Sequence, residues 1–397
     1  MKDFAVQEKK LTARTTTHRH VVINDTTLRD GEQSPGVAFT ADEKLDIAVS
    51  LQAAGVDEIE VGIPMMGGKE REVIRAITQL LTTTQSMAWC RMHPNDLSAC
   101  RHLTVDWLDL SLPASSQQRG SKLGVSLPAL LEQSTTVIRD AIQMGFRVCV
   151  GMEDASRAAP ETLIQIAEMA QTMGAERLRF ADTVGILDPF STYEAIKFLV
   201  ERSDLQIEMH AHDDLGMATA NTYAAIQAGA YSVNTTLNGL GERAGNAPLE
   251  EVVATLNALQ GNTMSPVQDE SRKTFVDLAK LPELCQKVAH YSRRPNPANK
   301  PVVGDVVFTH ESGIHVDGLI KNMENYQGLK PHLVGREHEM VLGKHSGCQA
   351  IQTVSKQWGM ELSPRSLLPI KALLRRWAEE NKRIVERADF VTIIDSL

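Results

Sequence analysis

From residue 21 onward, short apolar runs alternate with longer amphipathic stretches. The runs fall at 21–24, 57–62, 86–91, 107–112, 146–151, 177–181, 206–210 and 231–235, each of strand length. The stretches between them, such as 42–54 and 160–173, carry apolar residues at helical spacing. Several end in Ala-Gly or Met-Gly just before the next run, as at Ala54-Gly55, Met144-Gly145, Met173-Gly174 and Ala228-Gly229. Glycine at that point is the usual helix stop. Eight such alternations predict an α/β fold, a (β/α)8 TIM barrel over residues 20 to about 265. An open Rossmann-type sheet is the rival, weakened because no Gly-rich dinucleotide fingerprint follows the first run.

The chain divides into a tail at 1–19, the catalytic barrel with its flanking helices at 20–290, and a small, mostly helical remainder at 291–397. That remainder opens on a linker at 293–301, RRPNPANKP, and includes a helical pattern at 366–378. A length of 397 residues is ample for one large barrel plus an appendage.

The 41 basic and 50 acidic residues give a net charge of −9, which argues against nucleic acid or a polybasic membrane surface as partner but leaves room for local basic pockets. No apolar run approaches a membrane span, and the first twenty residues lack the apolar core of a signal peptide. The five cysteines are scattered without CxxC spacing, as expected of reduced thiols in a cytoplasmic protein.

A TIM barrel places its chemistry just after the strands, and polar residues gather there. Asp25, Arg29, Asp30 and Gln33 follow the first strand, and Glu60 sits in the second. Arg91 and His93 follow the third, Glu153 and Asp154 the fifth, and Asp182 and Thr183 the sixth. The seventh ends in His210 and His212, two apart and so on one face of a strand. The eighth runs into NGLGERAGN. Two imidazoles and a carboxylate suit a divalent metal (Mg, Mn, Zn or Fe(II)) with positions left for substrate oxygens. No lysine lies in any of the eight strands, which disfavours a Schiff-base aldolase, and no GxSxG elbow occurs.

The run Leu28-Arg29-Asp30-Gly31-Glu32-Gln33, with Lys44 beyond it, resembles the first signature of the 2-isopropylmalate synthase/homocitrate synthase family. The run 210–216, HAHDDLG, with Ala218 and Ala220, resembles the second, and GLGERAGN, SGIHVDG and GKHSG extend the likeness over nearly the whole chain after residue 20. The resemblance implies that Asp30, His210, His212 and Asn246 are the metal ligands. It implies a Claisen condensation, in which acetyl-CoA loses a methyl proton, the enolate attacks a 2-oxo acid, and water hydrolyses the thioester. Arg29, permanently charged beside Asp30, suits the stabilisation of developing oxyanions. Gln33, His93 and Thr183 look like substrate-binding groups, and Glu153 like a participant in proton transfer.

The choice of oxo acid is harder. Leucine-pathway members of the family carry a long regulatory C-terminal domain, and the short form here resembles homocitrate synthases. Lysine-pathway members place Arg and Ser on the fifth strand ahead of the Glu. Cys149 and Gly151 stand there instead, which resembles the nitrogen-fixation branch. The expected substrates are 2-oxoglutarate and acetyl-CoA. A short 2-isopropylmalate or citramalate synthase, or an acyl-CoA lyase of the same barrel group, is the alternative.

His315 lies some fifty residues beyond the barrel. Glu311, His315 and Asp317 cluster with Gly313 and Gly318, which predicts a tight turn rather than a core helix. The resemblance implies a lid and dimerisation segment lying over the barrel mouth of the partner chain in a homodimer. There, the imidazole of His315 is a group of the type that takes a proton at cellular pH, here from the acetyl methyl, oriented by Asp317 or Glu311.

Overall fold

The structure, a computed structural model, describes residues 20–259 and 273–397. The predicted tail at 1–19 lies outside the described residues. Eight parallel strands close into a barrel in sequence order: β1 Val22–Asp25, β2 Glu58–Glu60, β3 Gln85–Arg91, β4 Trp107–Pro113, β5 Arg147–Glu153, β6 Arg177–Asp182, β7 Gln206–Ala211 and β8 Ser232–Thr235, with β8 pairing back onto β1. The predicted strands are all present. β5 runs further than the apolar pattern suggested, because its pairing with β4 continues to Pro113 opposite Glu153. Glu153 is therefore the last residue of the strand rather than part of the loop after it.

The helices start and stop where local chemistry dictates. Thr40 accepts from the Glu43 N–H while Glu43 accepts from the Thr40 N–H, a capping box that opens helix Ala41–Ala53. Asp188 caps Pro189–Val200. Helix Pro160–Met173 ends at Gly174 with φ of 89°, a left-handed turn that favours glycine.

Period-two alternation sorts each strand into two faces. One set, including Ile23, Ile59, Leu108, Leu110, Val148, Val150, Leu178, Phe180, Ile207, Met209 and Val233, is fully buried in the large apolar core. The other set fills the barrel lumen and is strongly charged. Arg177 pairs with Glu58 and Glu208 at 2.5 and 3.0 Å. Arg179 reaches Glu60, Asp109 and Glu208 at 3.0, 2.6 and 2.6 Å. Asn24 and Ser232 also donate to Glu208. Met87, Trp107 and Cys149 form an apolar patch there. A lumen built of ion pairs demands complete pairing, because an uncompensated buried charge is costly.

After the barrel, helix Leu281–Tyr291 packs on its flank. The predicted linker is anchored: Lys300 pairs with Glu250 and Glu251 at 3.0 Å each, and Val303 and Phe308 enter the barrel's core. A two-stranded parallel sheet follows, Thr309–His310 against Glu339–Met340, with helices Gly313–Lys321, Cys348–Gln357, Leu367–Asn381 and Arg387–Asp395. They enclose a second core that includes Val316, Leu342, Ile351, Ile370, Leu374 and Phe390. The tight turn expected around His315 is instead the helix Gly313–Lys321. Its two glycines are there for close packing: a Cβ on Gly318 would run into the Tyr326 ring, and one on Gly313 would meet the Gly347 backbone at 2.9 Å. No helix of the described residues is long and apolar enough to cross a membrane. All five cysteines are free thiols.

Candidate active site

The strand ends on one rim bring Asp30, His210 and His212 together. His210 is on β7 and His212 just past it, so both rings point into the lumen side. Asp30 sits at the start of the short helical turn Gly31–Gln33 after β1. Asp30 Oδ2 is 3.2 Å from His210 Nε2 and 3.9 Å from His212 Nε2. All three side chains are buried, and among the described residues they form a group whose ligand atoms lie within 4.8 Å of one another.

The outer ring nitrogens fix the tautomers. His210 Nδ1 donates to Asn234 Oδ1 at 3.1 Å, with the Asn234 amide oriented by its own donation to the Asn24 carbonyl. His212 Nδ1 donates to the Gly245 carbonyl at 3.2 Å. A second-layer acceptor on each imidazole is the usual arrangement of metal-binding histidines. Burial pushes the His212 pKa down to about 4, with His210 adding to the fall and Asp30 opposing it, so the ring is neutral at pH 7. Burial alone would raise the Asp30 carboxyl, but Arg29, His210 and His212 hold it well below the usual carboxylate range.

The glycine-rich loop after β8 delivers Asn246, which bridges in antiparallel fashion to His212. The turn needs its glycines: Gly245 has φ of 94°, and a Cβ there would collide with the Gly239 carbonyl. Asn246 donates to the Leu240 carbonyl at 3.0 Å, while its Oδ1 is buried without a partner. Two imidazole nitrogens and a carboxylate oxygen thus meet at one point, with a buried, unpartnered amide oxygen on the loop strand that pairs with His212. That donor set fits a divalent cation.

A cavity of about 750 Å³ opens from this point to the barrel mouth, lined also by Arg29, Gln33, His93, Glu153 and Thr183. Arg29 is buried, donating to Glu60 Oε2 at 2.6 Å and Asp30 Oδ2 at 3.1 Å, with its guanidinium 5.6 Å over the Trp89 ring. Thr183 Oγ1 accepts the Asp154 N–H at 2.8 Å. His93 Nδ1 accepts from the Asn95 N–H at 3.1 Å and caps helix Pro94–Ala99. Glu153 is ion-paired to Lys122. His315 is not in this cavity. It is exposed on its helix, stacked on Tyr326 with ring centroids 4.2 Å apart.

The cavity also holds Arg91, which follows the third strand, Arg243 of the glycine-rich loop, and Asp109, Arg179 and Lys122, which no motif contains. A signal for two of them was present. In RLRFA and WLDLS, charges alternate with apolar residues in strands that must be buried on both faces, which places Arg179 and Asp109 in the lumen. Lys122 carried no such signal.

Fold and site define a (β/α)8 enzyme whose mouth carries a centre able to hold a divalent metal. The family described as HMGL-like matches residues 20–288, and the homocitrate synthase post-HMGL domain-like family matches residues 302–382. The chain is 43% identical to 2-isopropylmalate synthase 2 of Caldanaerobacter subterraneus subsp. tengcongensis, over 91% of this chain and 92% of that one. It is 41% identical to homocitrate synthase 1 of Nostoc sp., over 94% and 97%. Hydroxymethylglutaryl-CoA lyase of Pseudomonas aeruginosa superposes with a TM-score of 0.63 over 73% of this chain and 98% of that one, and at 22% identity this is a likeness of fold. The chain belongs to the HMGL-like family, in the branch that carries the homocitrate synthase post-HMGL domain, and is an acyltransferase.

Proposed function

We propose that the protein condenses acetyl-CoA with 2-oxoglutarate and hydrolyses the thioester, giving homocitrate and CoA. The observation that carries the condensation is the convergence of Asp30, His210 and His212 beside the Arg29 guanidinium, with the buried Asn246 Oδ1 left unpartnered on the loop next to His212. Asp30, His210, His212 and Asn246 would hold a divalent cation, which when bound would supply Lewis-acid polarisation of the acceptor's carbonyl. Arg29 is fixed by Glu60 and Asp30, so its remaining N–H groups meet the alkoxide that develops at the attacked carbon without reorganising. Gln33, His93 and Thr183 orient the acceptor from the cavity wall. A base takes the acetyl methyl proton, and the enolate carbon then bonds to the ketone carbon. Water cleaves the thioester and CoA leaves.

His315 is the proposed base. It lies outside its own chain's cavity, on a helix that also exposes Ile314. It serves the cavity of a partner in a homodimer, and Glu153 assists proton transfer.

The 2-oxoglutarate assignment rests on a cavity with several cations and on the Cys149 and Gly151 positions of β5, which favour the nitrogen-fixation branch over the lysine-pathway one. The second reading is a short 2-isopropylmalate synthase, favoured by the 43% identity to a relative of that name. That relative is covered over 92% of its length, so chain length does not separate the two readings. A thiol-release assay with acetyl-CoA and a panel of 2-oxo acids tests the proposal: 2-oxoglutarate gives the highest kcat/KM, and a preference for 2-oxoisovalerate replaces it with the second reading. The absence of thiol release with every oxo acid refutes both.

A further inference from the structure

Five cationic side chains line the cavity, and four of them are tied into the framework. Arg29 is held by Glu60 and Asp30, and Arg179 by Glu60, Asp109 and Glu208, all buried. Arg91 forks onto Asp96, a buried carboxylate that also accepts the Arg91 backbone N–H and so fixes the turn after β3. Arg243 joins Asp214 to the Thr183 carbonyl and ties two rim loops together.

Lys122 is different. Among the described residues its ammonium contacts Glu153 alone, at 2.7 and 2.9 Å. Neither partner is part of a buried scaffold: the Lys122 side chain is 50% exposed and that of Glu153 28%. Lys122 lies in a π-helical turn, Arg119–Leu123, that ends at Gly124 with φ of 63°. Such single turns occur often at functional sites. The floor beneath it lacks any cation contributed by β5: Cys149 is buried against Met87 and Trp107, and Gly151 leaves space that a Cβ would close by meeting Asp109 Oδ1 at 2.6 Å.

We propose that Lys122 reads the second carboxylate of a 2-oxo dicarboxylate, which displaces Glu153 from the ammonium and frees it to assist proton transfer. This deepens the condensation reading and rests on it. The exchange conserves charge at the ammonium, since one carboxylate replaces another. An acceptor with an apolar tail cannot make the exchange and leaves Glu153 paired. Lys122 thereby couples recognition of the acceptor to the readiness of the site, and selectivity exceeds what the tail's contacts alone provide.

The test is isothermal titration of 2-oxoglutarate and of 2-oxobutyrate, which lacks the second carboxylate, in buffer containing Mn2+. Lys122→Met weakens 2-oxoglutarate by about 30-fold, as expected for one lost charged hydrogen bond, and leaves 2-oxobutyrate within about twofold. Lys122→Arg retains most of the affinity. Glu153→Gln, which removes the competitor, tightens 2-oxoglutarate. Equal loss of both acceptors in Lys122→Met, no loss at all, or a selective loss in Arg91→Met in its place overturns the assignment. Lys122-dependent binding of 2-oxoglutarate in a protein that releases no thiol from acetyl-CoA overturns the condensation reading alone.

Discussion

The Nε2 atoms of His210 and His212 lie 3.2 Å apart, and each is the lone-pair nitrogen of its ring, because the two Nδ1 atoms donate outward to Asn234 and Gly245. Two lone pairs so close, with the Asp30 carboxylate beside them, repel one another until a cation sits between them. His210→Ala or His212→Ala should therefore abolish Mn2+ binding in calorimetry and remove turnover. Asn234→Ala, which only releases the His210 ring, should weaken the metal by about 10- to 100-fold. Unchanged metal content in either histidine variant refutes the ligand set.

Arg29 donates to two different carboxylates from two different nitrogens, which a lysine cannot do. Arg29→Lys should fold, keep its metal and lose about 100-fold or more in kcat. A kcat near the wild-type value assigns Arg29 to holding Glu60 and Asp30 only.

Asp109 gives the lumen a pH dependence. Burial raises its carboxyl pKa to about 6, with Glu60 and Glu208 adding to the rise and Arg179 and Arg29 opposing it. Arg179 Nη1 lies 2.6 Å away, yet neither Asp109 oxygen meets a donor in hydrogen-bonding alignment. A carboxyl whose folded pKa exceeds its unfolded value binds its proton more tightly in the native state. Its contribution to stability is full below pH 4 and is lost as pH rises through about 6. Asp109→Asn should remove that loss and raise Tm by a few degrees at pH 8 relative to wild type, with a smaller difference at pH 5. A lower Tm at pH 8 shows that the ionised carboxylate stabilises the lumen through Arg179.

The partner-chain role of His315 is open to complementation. His315→Ala should retain its metal and condense very slowly. Mixed with inactive His210→Ala subunits, it should regain part of the activity, because one mouth of the heterodimer then has both histidines. If subunit exchange is verified and no activity returns, His315 does not serve a partner's site.

The barrel was legible in the sequence because alternating strands and amphipathic helices with glycine stops leave a strong local signal, and β1 to β8 fall where the apolar runs lie. The cluster of Asp30, His210 and His212 was legible because the two histidines are two apart at the end of one strand and Asp30 sits in a long motif. The helix Gly313–Lys321 was misread as a turn. Two glycines and a polar cluster are turn chemistry locally, but packing of Val316 and Leu319 and the approach of Tyr326 to Gly318 override it. The pairing of Lys122 with Glu153 was invisible for a different reason. It joins residues 31 apart through a π-helical turn that no periodicity announces.

The most direct measurement is a competition. Equal concentrations of 2-oxoglutarate and 2-oxoisovalerate are incubated with limiting acetyl-CoA, with Mn2+ and after EDTA treatment, and the products are weighed by mass spectrometry. The account predicts homocitrate as the dominant product with metal and no product after EDTA. Dominant 2-isopropylmalate, or undiminished product after the metal is removed, contradicts it.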